Sequence, residues 1–243
     1  MAELTNLQQA TNKLIEAAGL TELKPGPLPI IPRTLWEQIQ EWLASWKHAD
    51  ALRKAGLMAP GALLLHGPTG SGKTTLAQGI LKHMGGRRGV IMEAHNILTS
   101  AFGGSAQNLS MGFKVAESTR SLLVLEEVDA LGISRYSNGG SSCGSEENKI
   151  TIALMRHLEA AKVPVIATTN FREALDPALL RRFELQLEVP SADEKCRAII
   201  LKKILGVDAP AELVALPLVE SIRLAHRLRR HAFIQEREAK GNG

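Results

Sequence analysis

The sequence predicts an α/β protein in which a parallel five-stranded sheet is sandwiched by helices and followed by a small α-helical subdomain. Short apolar runs alternate with helix-like stretches from Ala62 to Pro190, the order that covers a parallel sheet on both faces. A glycine-rich turn, Gly67 to Thr74, joins the first run to the first of these helices. Beyond Pro190 no strand-like run recurs, and the chain to Glu238 keeps helical spacing.

Each element has its own signal. Leu4, Leu7, Ala10, Leu14 and Ala18 fall at helical spacing and Gly19 closes the run, which predicts an amphipathic helix over 3–18. Pro25, Pro27, Pro29 and Pro32 then lack amide protons and fix φ, which predicts an extended strap across a neighbouring surface. Thr34 and Glu37 have capping-box spacing, and Trp36, Ile39, Leu43 and Trp46 make one apolar helical face. Regular spacing favours core packing for these tryptophans over stacking on a base. The buried strands are ALLLH, GVIME, SLLVLEE, VPVIATTN and ELQLEVP, with helices from Lys73 and around Ile150 to Leu158. Ser191 and Glu194 repeat the capping-box spacing ahead of a helix reaching about Leu205. The expected divisions are an N-terminal helix and proline-rich linker (1–33), a large α/β subdomain (34–190) and a helical lid (191–243). Ser137 to Ser145 is polar and glycine-rich and predicts a loop.

Composition narrows the class further. With 243 residues, 44% hydrophobic and 22% charged, the chain is long enough to bury a core and unlike disordered, collagenous or disulfide-framed chains. No apolar run approaches the ~20 residues of a membrane helix, and MAELTNLQQA lacks the features of a signal peptide. The expectation is a cytoplasmic protein without membrane contact. Cys143 and Cys196 form neither a framework nor a metal set and read as reduced thiols. A net charge of +4 permits nucleic acid as a partner without arguing for it.

The chemistry lies in the motifs. Gly67, Pro68, Thr69, Gly70, Ser71, Gly72, Lys73 and Thr74 complete a phosphate-binding loop between a strand and a helix, with Thr75 following. Its glycines let backbone amides surround phosphate oxygens, and the helix start adds its positive dipole end. Lys73 supplies charge to the β- and γ-phosphates, and Thr74 is the expected Mg²⁺ ligand. This context predicts a P-loop NTPase fold. The apolar run Leu122 to Leu125 ends in Glu126 and Glu127, and charge at the end of a buried strand calls for compensation such as a Mg²⁺–nucleotide. Glu126 is assigned to the metal's water shell and Glu127 to the attacking water. Asn170 ends the fourth strand within reach of a γ-phosphate. Asp176-Pro177 caps a short helix that closes on Arg181-Arg182, a pair that in isolation serves only to satisfy terminal carbonyls.

Together these pieces resemble the AAA+ ATPases, specifically the classical AAA branch of ring-forming protein remodellers and unfoldases. The resemblance runs from about Trp36 to Leu205 through ALRKAGLMAPG, HGPTGSGKTT, LLVLEEVDAL, ATTN, ALDPALLRRFE and LEVPSADEKCRAIILKKIL. It implies rings, usually hexamers, with ATP and Mg²⁺ between subunits, where Arg181 and Arg182 would reach a neighbour's γ-phosphate as arginine fingers. Arg182 is the preferred primary finger. Ile97 to Leu109 resembles the pore-loop segment, with Phe102 one place beyond the usual aromatic position, and Gly132 to Gly144 lies where the family has a second pore loop, with Arg135 and Tyr136 as its contacts or as an inert surface excursion. The sequence departs at Glu126, where the family has Asp, and in a short lid in which Arg223 is a weak second-sensor match. The leading function is an ATP-driven, chaperone-like remodeller or translocase of a protein substrate. The alternative is a nucleotide-controlled platform that recruits an effector or DNA. The short segment before residue 34 and the absence of a protease zinc motif imply substrate choice by a partner, the pore or that segment itself, and no intrinsic proteolysis.

Overall fold

The structure is a computed structural model that describes residues 2–98, 104–131 and 143–241. The chain forms two compact units, one comprising the residues up to Gly67 with Gly72–Val189, the other Pro68–Ser71 with the residues from Pro190 onward.

In the first unit the order is α1 (Ala2–Ala17), β1 (Thr21–Leu23), α2 (Arg33–Lys47), α3 (Ala49–Lys54), β2 (Ala62–His66), α4 (Lys73–His83), β3 (Gly89–Glu93), α5 (Ala94–Ile97), α6 (Gly104–Ser118), β4 (Leu122–Glu126), α7 (Cys143–Ala160), β5 (Val165–Thr169), α8 (Pro177–Leu180) and β6 (Phe183–Glu188). The sheet runs β1-β3-β4-β5-β2-β6. The five expected strands pair in parallel. A sixth, β1, adds an antiparallel edge against β3 with Glu22 opposite Val90. Three residues carry no readable periodicity, so only the neighbouring edge gives this strand away.

Strand alternation sorts the core onto two faces. Leu64, Leu123, Leu125, Val165 and Ala167 face α1, α6 and α7 residues in one apolar cluster. Leu63, Leu65, Leu122, Val124 and Ile166 pack with α2 and α4 in another. The proline strap lies over α4, where Gly26 N donates to Gln78 O (3.1 Å). A Cβ on Gly79 would come 2.9 Å from Leu28 Cα, so the strap's path requires glycine there.

Two expected caps are corrected. α2 begins at Arg33 after Pro32 with no side-chain cap, which places Thr34 inside the helix, and Glu37 accepts from Arg33 Nε (2.7 Å) instead. Pro32 sets the helix entry through its fixed φ, leaving Thr34 past the position a cap needs. The buried stripe of α2 is Leu35, Ile39, Trp42 and Trp46, one position round from the expected face, with Trp36 and Leu43 at its margin. Of the two tryptophans expected in the core, Trp46 is buried and Trp36 only partly so; the indoles of Trp42 and Trp46 both donate to Gly61 O (2.9 and 3.4 Å).

The second unit holds α9 (Glu194–Leu205), α10 (Ala211–Ala215) and α11 (Leu218–Gly241) around Leu201, Leu213, Val214 and Ala225. Asp193, not Ser191, caps α9, accepting from Cys196 N (2.7 Å), because it is the residue directly before the first helical turn. Gly206 ends α9 in the left-handed conformation (φ +78°).

Candidate functional site

The parallel strands bring their C-terminal ends to one edge. β5 lies between β2 and β4, with Leu65 beside Thr168 and Leu125 beside Ala167. The phosphate loop, the acidic strand end and Asn170 come from these three strands, the usual placement of a ligand site in an open α/β sheet.

In the loop, Gly70 and Gly72 take φ of +78° and +94°. L side chains rarely adopt these values, and the turn they permit exposes the first amides of α4. Gly72 precedes α4 with no side-chain cap. Lys73 heads the helix and is only 8% exposed. Its Nζ donates to Gly67 O and to Asn170 Oδ1, both at 2.8 Å. Burial lowers its pKa, and the charges of Asp129, Glu126 and Glu127 act against that shift.

Thr74 Oγ1 donates to Glu126 Oε1 at 2.5 Å, joining the two residues expected to serve a metal. Glu127 follows in the left-handed region at φ 57°, ψ 47° with its side chain exposed. A non-glycine residue held there is strained, a state that persists where surrounding structure over-determines it. The surroundings are two threonines. Thr168 Oγ1 lies 3.4 Å from Glu127 N and accepts its proton. Thr169, buried, donates to Asp129 Oδ1 (2.6 Å) and accepts from Phe171 N (3.0 Å). Thr168, Thr169 and Asp129 thus tie the turn after β4 to the end of β5, on either side of Glu127 and Asn170. Sequence reasoning assigned them no role. Their signal was two consecutive hydroxyls ending an apolar strand.

Asp176 caps α8 through Ala178 N (2.7 Å), as expected. Arg181 Nε donates to Pro177 O (3.2 Å), the carbonyl-satisfying contact of a helix end. Arg182 Nε pairs with Glu159 of α7 (2.7 Å), both side chains being substantially exposed. Among the described residues these contacts do not join either arginine to Lys73 or Glu126. Arg223 is exposed on α11 in the second unit. Phe102, Arg135 and Tyr136 lie outside the described residues. Asn108 Nδ2, in the same segment as Phe102, donates to Ile97 O (3.2 Å).

The residues present fit a magnesium nucleotide. Ser71 Oγ is buried without a hydrogen-bond partner, an orphan in the phosphate loop. The Thr74 hydroxyl and Glu126 carboxylate are hard oxygen ligands of the kind magnesium takes alongside water and phosphate. Among the described residues no three His, Cys, Asp or Glu side chains gather as another metal site, and no helix is long and apolar enough to cross a membrane.

Residues 63–191 match the family model for the ATPase family associated with various cellular activities, AAA. The 26S proteasome regulatory subunit 8 of Caenorhabditis elegans is 35% identical over 163 residues, covering 64% of this chain and 39% of that protein. A proteasome-activating nucleotidase of Thermococcus gammatolerans is 32% identical over 165 residues, 64% of this chain and 41% of that protein. Protein SAV of Sulfolobus acidocaldarius is 27% identical over 224 residues, 82% of this chain and 28% of that protein. The chain thus spans well under half the length of these curated relatives.

Proposed function

We propose that this chain, which belongs to the AAA family of ATPases, hydrolyses Mg–ATP at the joined ends of β2, β4 and β5 and uses the cycle to remodel or translocate a protein substrate. The observation that carries the reading is the Lys73–Asn170 and Thr74–Glu126 pair of contacts, which gathers a lysine and a hydroxyl from the start of α4, an acid from the end of β4 and a polar side chain from the end of β5. Similarity to a 26S proteasome regulatory subunit and a proteasome-activating nucleotidase supports a protein substrate. Action in the cytoplasm belongs to the same reading.

In this mechanism the backbone amides of the loop from Gly67 to Thr75, other than that of Pro68, hold the phosphates. Lys73 exchanges its contacts with Gly67 and Asn170 for phosphate oxygens. Thr74 and Glu126 hold magnesium directly or through its water, and magnesium when bound neutralises phosphate charge. Glu127 accepts the proton of the water that attacks the γ-phosphorus as the bond to the β–γ bridging oxygen breaks, while Asn170 orients that water. Residues 191–243 act as the lid, and residues 1–33 brace the sheet edge through β1 and the strap.

Arg181 and Arg182 act in trans on a neighbouring subunit's γ-phosphate in a homo-oligomeric ring, a hexamer. An exposed ion pair such as Arg182–Glu159 is worth only ~0–1 kcal/mol, so its release costs little beside a finger's gain in transition-state stabilisation. The decisive measurement is the mass of Glu127→Gln in solution with and without Mg–ATP, alongside Arg182→Ala. An ATP-dependent ring-sized species is expected, and a persistent monomer under both conditions would sink the motor reading.

One observation favours the second reading, a nucleotide-controlled platform that recruits an effector or DNA. From His226 to Gln235 α11 is exposed on every side and carries Arg227, Arg229 and Arg230. On this reading duplex DNA stimulates ATP turnover with steep salt dependence. Stimulation by unfolded polypeptide instead favours the remodeller.

A further inference from the structure

At the opposite end of α4 from Lys73, α2 and the turn after α4 line an open cavity of about 510 Å³, within the range of small-ligand sites. Its long wall is the margin of α2 that the core leaves half covered. Trp36, Gln40, Leu43 and Lys47 recur along three helical turns, about 16 Å. That length suits about five residues of extended chain at ~3.3 Å each, and exceeds one small planar molecule. His83, Met84 and Arg87 supply the facing wall.

The chemistry of the walls is one-sided. Trp36 and His83 meet edge-on with ring centroids 4.7 Å apart. The Nδ1 of His83 donates to Gly79 O (2.8 Å), which leaves Nε2 as the ring's polar atom for a ligand. Lys47, His83 and Arg87 line the cavity and no Asp or Glu does. Arg87 donates to Arg120 O (3.2 Å). Burial, then the charge of Arg120, push the Arg87 guanidinium down from its ordinary value, and no carboxylate offsets them. Among the described residues Arg87 forms no ion pair, and Trp36, Leu43 and Met84 on the same cavity are only partly buried.

We propose that this cavity docks an acidic peptide segment of a partner protein, seating one large apolar side chain against Trp36, Leu43 and Met84 with flanking carboxylates on Lys47 and Arg87. The site does not depend on the nucleotide reading, and either can fail without the other. It gives the chain a place to receive an adaptor or substrate tag at the sheet end away from the phosphate loop.

The probe is a phage-displayed library of random twelve-residue peptides panned on the full chain, with enriched sequences resynthesised carrying fluorescein and measured by anisotropy. Enriched peptides should pair Asp or Glu with an aromatic or large aliphatic residue. Their affinity should fall at least ~tenfold on Arg87→Ala and on Lys47→Glu, and as much when the peptide's apolar residue becomes Ala. Lys47 is exposed, so its charge reversal leaves the core intact, and an unchanged melting temperature verifies folding. No enrichment, enrichment without acids, or equal binding to both variants overturns the proposal. So does equal displacement by phenylacetate alone, which would make this a small-anion site, or equal binding to phosphatidylserine vesicles.

Discussion

Lys73 and Arg87 are desolvated cations near the two ends of α4, yet their surroundings have opposite sign. Three carboxylates, Asp129, Glu126 and Glu127, act on Lys73, and its ammonium also meets two oxygens. Arg87 has another arginine for a neighbour and a carbonyl for a partner. The difference follows from topology. Parallel strands deliver their C-terminal ends, and the loops that leave them, to one edge, so acids from β4 reach a lysine from the loop after β2. The other edge receives the turn after α4 and the turn before β4, and here those bring Arg87, Arg88 and Arg120 without acids. At one end carboxylates surround the lysine; at the other the arginine has a second arginine and a carbonyl.

The comparison can be broken most severely at Lys73. Lys73→Ala should lower ATP affinity at least ~100-fold, about 3 kcal/mol, the upper range for charged hydrogen bonds, as read by titration with a fluorescent ATP analogue. Affinity within a few-fold of wild type would mean that this end is not the phosphate site. Next in size, Glu127→Gln should bind ATP normally while kcat falls ~10²–10⁴-fold. Equal turnover would remove Glu127 as the base.

A finer test concerns the threonine ties. Thr169→Val loses the bond to Asp129 and the acceptor for Phe171 N, so kcat should fall ~5–10-fold, about 1 kcal/mol, with ATP affinity kept. Thr169→Ser should restore it. A change in affinity without a change in kcat would make the tie merely structural. The smallest effect belongs to the other end. Arg120 sits at φ 51°, a region costing an L residue ~1–2 kcal/mol. Arg120→Gly removes that strain and the like charge while keeping the carbonyl that Arg87 uses. Part of the gain is offset by glycine's entropy, so stability should rise by ~0.5–1 kcal/mol, seen as a higher Tm; a lower Tm would show that the Arg120 side chain is itself stabilising.

Much of this was legible in the chain. Five strands, the helix after the phosphate loop and the end of α9 at Leu205 follow from period, turn residues and caps, all of which are local. The local signals erred where two candidates competed within a few residues. Asp193 took the cap that Ser191 was expected to hold, and Pro32 displaced Thr34. On α2 the pattern Trp36, Ile39, Leu43, Trp46 is as regular as Leu35, Ile39, Trp42, Trp46, and the second is the one packed into the apolar cluster with β2 and α4. That choice left Trp36 and Leu43 at the margin, where the cavity lies.

The alternation of elements and the loop that demands glycine at positive φ are written in neighbouring residues, because both depend on positions adjacent along the chain. Only the tertiary structure decided that β5 stands between β2 and β4, that Lys73 meets Asn170 across 97 positions, and that Thr169 braces Asp129. Strand order is set by which faces bury each other, a sum over distant contacts that no local window contains. The same holds for the arginines beside the cavity, whose shared charge becomes a feature only once the fold brings 87 and 120 together.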